Sequence, residues 1–150
     1  VGDNSEPIDL ERGKSDMADQ AAIDALRNQP VPPQGLWIGA ASCDAASGET
    51  LDVISPIDGS RLTTIASAGH ADVDRAVASA RKSFDAGAWS RAAPAERKKV
   101  MHAIADLIEK HTLELAVLGV RDNGTEISMA LRAEPGSAAG PLRHLSLIHI

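Results

Sequence analysis

Cys43 is the one thiol in the sequence, and a thiolate is the nucleophile and metal ligand that a reactive site would use. No basic residue lies close to it in sequence, and it sits between an apolar run and a turn. An inert thiol is expected. The five histidines, His70, His102, His111, His144 and His149, show neither the HExxH nor the paired CxxC spacing of a metal site. Each reads as a solvent-facing or capping imidazole. Neither GxGxxG nor GxxxxGK[ST] occurs, so no phosphate cradle is present. Asn123-Gly124-Thr125 fits the glycosylation pattern but reads as a helix cap. Glu109, Glu114 and Asp122 read as solvated or helix-end carboxylates, and Lys98-Lys99 as a solvated helix face. Taken alone, these residues identify no activity.

The segment that must position them runs from Pro94 to Gly124 and reads as a helix hairpin. Pro94 suits a first helical position, and Glu96 places negative charge at the positive helix end. Val100, Ile104, Leu107 and Ile108 repeat at helical spacing and form one apolar face, widened by Met101 and Ala105. Thr112 is placed to cap a second helix, with Leu115, Ala116, Leu118 and Gly119 as its buried stripe. Asp122-Asn123-Gly124 ends that helix, because Asn and Gly tolerate the left-handed conformation. Two such stripes cannot bury each other alone, so whatever precedes and follows them must supply a floor.

Upstream, residues 1–16 carry five carboxylates against two basic groups and are expected to be disordered. Met17 is a candidate start. A short helix is expected from Ser15 to Asn28, ended by Pro30, Pro32 and Pro33. Leu36-Trp37-Ile38 reads as a strand. Thr50–Ser55 and Leu62–Ala66 read as a hairpin about the turn Pro56-Ile57-Asp58-Gly59. A helix follows, with Asp72 and Asp74 in its first turn and Val73, Ala76, Val77, Ala80 and Phe84 on its buried face. Gly87 closes it. Ile127–Ala133 reads as a weak helix that Pro135-Gly136 breaks, and Gly140-Pro141 opposes its restart.

The length of 150 residues predicts one domain. Aromatic residues make up only 2%, so the core must be aliphatic and alanine-rich. A net charge of −6 argues against nucleic acid as a partner. No apolar run approaches the ~20 residues of a membrane span, and no signal peptide is visible. A single cysteine excludes an intrachain disulfide and fits a reducing, cytoplasmic compartment. The last six residues, Leu145-Ser146-Leu147-Ile148-His149-Ile150, resemble a translated transposon end of the kind used to prepare sequencing libraries. They are expected to be a non-native tail.

The order and wording of residues 36–134 resemble the N-terminal region of the NAD(P)-dependent aldehyde dehydrogenase superfamily. The matching stretches begin with Leu36-Trp37-Ile38-Gly39, Ala46-Ser47-Gly48-Glu49-Thr50, Ser55-Pro56-Ile57-Asp58-Gly59 and Asp72-Val73-Asp74-Arg75-Ala76-Val77. They continue through Trp89-Ser90, Pro94-Ala95-Glu96-Arg97, Ala105-Asp106-Leu107-Ile108-Glu109 and Asp122-Asn123-Gly124. Each is weak singly; collinear over about a hundred residues, they are specific. The wording is nearest the branch acting on γ-glutamylamino-butyraldehyde and related amino aldehydes. Two departures stand out: Thr125-Glu126 replaces the family's Lys-Pro, and Gly140-Pro141 interrupts a longer helix.

The resemblance implies an α/β fold: an antiparallel β-hairpin unit plus helices of a cofactor-binding domain, truncated before the Rossmann sheet. It divides the chain into a leader and Pro-rich linker over 1–35, the domain part over 36–144, and the tail over 145–150. It implies a parent enzyme, a homo-oligomer, that oxidises an aldehyde to a carboxylic acid with NAD or NADP through a cysteine thiohemiacetal. The family's catalytic cysteine, glutamate, oxyanion asparagine and cofactor loops match nothing in this chain. Cys43 matches none of them, so catalytic and cofactor-binding residues are expected to be absent. One site carries over. In several relatives a monovalent cation lies near the aspartate matching Asp122 and a backbone carbonyl matching Ile54, with Val53 as neighbour. Oxygen ligands suit such an ion. Its charge would also relieve a carboxylate placed at the negative end of a helix. The alternative is a non-catalytic helical protein-interaction module, which a stop codon just beyond Arg143 in the DNA would favour.

Overall fold

The computed structural model describes residues 19–147. The disordered stretch expected over 1–16, Met17 and the final three residues lie outside them. Asp19 opens α1 (Gln20–Arg27) as its N-cap, its carboxylate accepting from the Ala21 N–H at 3.0 Å. The Pro-rich stretch then runs extended to Gln34. The Gln34 N–H donates to the Thr64 carbonyl, and the Gln34 carbonyl accepts from Ala66 N–H, each at 2.9 Å.

Two antiparallel hairpins follow. β1 (Leu36–Ile38) pairs with β2 (Ala41–Cys43), Leu36 opposite Cys43. β2 goes beyond the sequence reading, which ended the strand pattern at Ile38. Gly39 and Ala40 both sit at φ +64°, the left-handed geometry that joins two strands tightly. Alanine is the costlier residue there, by roughly 1–2 kcal/mol. β3 (Thr50–Ile54) pairs with β4 (Arg61–Ala66) in the expected hairpin, with a register irregularity between Val53 and Ile54. Its turn is closed by Ser55 N–H to the Ser60 carbonyl at 2.8 Å and Gly59 N–H to the Ser55 carbonyl at 2.9 Å. Ser60 also donates to Asp58 Oδ1 from its hydroxyl at 2.8 Å and its N–H at 3.1 Å, which holds the Asp58 carboxyl below its usual range.

The helices are α2 (His70–Ala86), α3 (Pro94–Lys110), α4 (Thr112–Asn123) and α5 (Ile127–Leu145). Pro94 opens α3 as expected, and Gly87 and Gly124 end α2 and α4 at φ +82° and +76°. Thr112 is not the cap of α4: His111 occupies that position, and the Thr112 hydroxyl donates back to the Glu109 carbonyl at 2.7 Å. This ties the end of α3 to the start of α4.

The larger departure is α5. The break expected at Pro135-Gly136 does not occur, and the helix carries Pro135 and Pro141 within it. Packing overrides local preference here. α5 lies against both α3 and α4 and buries Ala130, Pro135 and Ala139. Ala105 on α3 and Ala116 on α4 are buried as well, while Val117 lies beside α1. Small side chains let the helices approach closely, so α5 takes the alanine face of the hairpin.

The expected stripes are split: Ala105 and Ala116 are buried, Met101 and Ile108 half-buried, and the larger side chains beside them open. Val100, Ile104 and Leu107 on α3 and Leu115 and Leu118 on α4 are exposed, Leu107 by 55%. Val73, Val77 and Phe84 on α2 are exposed too, Phe84 by 60%. The helical periodicity is correct, and these faces stay open among the described residues, as a chain truncated before its sheet would leave them. The fully buried apolar set among the described residues is five alanines and Val117, while many of the larger aliphatics are half-buried or exposed. α1 packs on α4, where Arg121 Nη1 donates to the carbonyls of Gln29 at 2.9 Å and Leu26 at 3.4 Å.

Candidate functional site

The most enclosed polar group is Asp72, 2% exposed, in the first turn of α2. Its carboxylate accepts from the Gly69 N–H at 3.0 Å, closing the helix entry on itself. It also accepts from the Ala46 N–H, at 3.0 Å through Oδ1 and 3.2 Å through Oδ2. Arg75 Nη2 donates to Oδ1 at 2.6 Å and reaches the Asp44 carbonyl at 3.4 Å. One carboxylate thus joins the β2–β3 loop to α2. The Gly69 N–H is the largest influence holding the Asp72 carboxyl below its usual range; desolvation opposes it, and Arg75 and Ala46 add to it. Sequence reasoning placed Asp72 in the first turn but missed this role. The Gly69-x-x-Asp72 spacing, one cap position and its third residue, was the available signal.

A second cluster ties α5 to α3. Arg143 bridges Glu109, with Nη2 at 2.7 Å and Nε at 3.2 Å, and Asp106 at 2.8 Å. These carboxylates raise the guanidinium pKa further above its usual value. Beside it, Ser146 Oγ lies 2.8 Å from His102 Nε2. This pair is not an activated nucleophile. The Ser146 hydroxyl donates its one proton to the Arg143 carbonyl at 2.6 Å, so His102 must donate to Oγ rather than accept from it. His111 pairs with Glu114 at 2.8 Å, and His70 begins α2. Cys43 ends β2, half-buried. No group of three or more His, Cys, Asp or Glu side chains converges among the described residues.

Asp122 lies exposed in the last turn of α4, its carboxylate directed by no ion pair among the described residues. Ile54 ends β3 at the register irregularity, half-exposed. The two elements approach each other: a Cβ built on Gly124 would stand 3.3 Å from Pro56 Cγ, so the end of α4 rests on the turn after β3.

The connection from β4 into α2 is the place to look for a cradle for a dinucleotide pyrophosphate, which needs free backbone amides at a helix entry. It does not fit that group. The strand leading into it belongs to an antiparallel hairpin, and the Gly69 amide is taken by the Asp72 carboxylate, whose charge repels an anion.

These clusters hold elements together. The chain belongs to the aldehyde dehydrogenase family, whose model matches residues 43–145. It is 39% identical over 108 residues to the NADP/NAD-dependent aldehyde dehydrogenase PuuC of Escherichia coli, covering 72% of this chain and 22% of that one. It is 30% identical over 137 residues to the cytosolic 10-formyltetrahydrofolate dehydrogenase of Xenopus tropicalis, covering 91% of this chain and 15% of the relative. The solved γ-glutamyl-γ-aminobutyraldehyde dehydrogenase of Burkholderia cenocepacia superposes with a TM-score of 0.80 at 36% identity, over 84% of this chain and 26% of that one. The chain therefore spans less than a third of each. The hairpins and helices that the resemblance implied are the fold observed.

Proposed function

We propose that this chain is the N-terminal part of an NAD(P)-dependent aldehyde dehydrogenase whose catalytic and cofactor-binding residues lie outside it, so that it is inactive alone. The observation that carries this reading is the inverted burial of the helices: alanines face inward, while Val100, Ile104, Leu107, Leu115 and Leu118 face outward. Branched aliphatics gather on one face of a helix when that face is covered. The sheet of the remaining enzyme is the cover. A self-sufficient interaction module would place its largest side chains in its own core, which disfavours that alternative.

In the parent, a nicotinamide cofactor would supply the hydride acceptor, at a site built from residues outside this chain. What this chain contributes is scaffold. Asp72 docks the loop between the hairpins on α2, Arg121 holds the end of α1, and Gly124 seats α4 on the β3–β4 turn. The proposed substrate class is an amino aldehyde of the γ-glutamylamino-butyraldehyde kind. The named activity of the Burkholderia relative and the sequence wording support it. The parent is proposed to be a cytoplasmic homo-oligomer. Within the chain, 1–35 is the leader and linker, 36–144 the domain part and 145–150 a non-native tail.

A monovalent cation at Asp122 and the Ile54 carbonyl is part of the same proposal. It is supported by the packing of Gly124 on Pro56, which brings the two elements together, and by an exposed carboxylate at the negative end of α4. Titration calorimetry of the chain with NAD⁺ and NADP⁺, beside an aldehyde oxidation assay, tests the main reading. No binding and no turnover are expected. Saturable micromolar binding overturns it.

A further inference from the structure

We draw no further inference here: the strongest candidate, the outward apolar face of α3 and α4 at Val100, Ile104, Leu107, Leu115 and Leu118, already carries the proposed function, and nothing else among the described residues shows what covers it.

Discussion

Truncating Leu107 to alanine measures whether the outward face of α3 is covered in the full-length enzyme. Leu107 is 55% exposed against the described residues. Full burial of a leucine side chain contributes about 1.5–3 kcal/mol, so the portion buried here accounts for about 1 kcal/mol. With a sheet packed on this face the same truncation also opens a cavity, and the cost rises to about 2–4 kcal/mol. The two cases differ by enough for chemical denaturation of the full-length wild type and Leu107→Ala to separate them, provided the slope with denaturant is unchanged. Lys98, exposed on the other side of α3, supplies the control: Lys98→Ala stays within roughly 0.5 kcal/mol. A loss of 1 kcal/mol or less at Leu107 would mean that the face stays open and that the burial argument for a missing layer is wrong. A larger loss at Lys98 than at Leu107 would invert the helix register.

The isolated chain should associate or behave as a molten species, because its branched aliphatic faces are exposed; a sharp two-state melt of a monomer, followed by light scattering and calorimetry, contradicts this. In the full-length enzyme, Asp72→Asn should speed hydrogen exchange at the Ala46 amide, which now donates to that carboxylate; unchanged protection would show that the loop is held by other means. The pH dependence has a fixed sign. A carboxyl lowered in the folded state contributes stability in full above its ordinary value of 3.8 and loses it as pH falls from there through its lower folded value, so wild type and Asp72→Asn should converge in stability across that acid range. Potassium should raise the melting temperature of the full-length wild type relative to a large organic cation and should do so less for Asp122→Asn; equal stabilisation of both, or of neither, removes Asp122 as a ligand.

The sequence was most informative where one residue type decides the local geometry. Pro94 fixed the start of α3, and Gly87 and Gly124 fixed the ends of α2 and α4 through their left-handed φ. The β3–β4 hairpin was legible because β-branched runs flank a Pro and Gly turn. β2 was missed because Ala40 occupies a left-handed position where asparagine or glycine would have signalled a hairpin. The apolar face of α3 was legible from periodicity; that its cover lies outside this chain followed from the resemblance and not from the spacing, which locates a face without saying what covers it. Asp72 stayed hidden because, apart from Arg75 three residues on, its partners are backbone amides, one of them 26 positions upstream, and amides leave no mark in sequence.

The two prolines of α5 have a consequence for folding order. Pro135 has no N–H to give to the carbonyl one turn back, and each interior proline makes a lone helix less favourable by about 3 kcal/mol relative to alanine. Such a helix cannot nucleate independently. It forms only as it docks into the alanine groove of α3 and α4, with Arg143 clasping Glu109 and Asp106 as the closing contact. α5 is thus a dependent element whose helicity reports on the hairpin beneath it. Loosening that hairpin should unravel α5 along its whole length rather than fray it from its end.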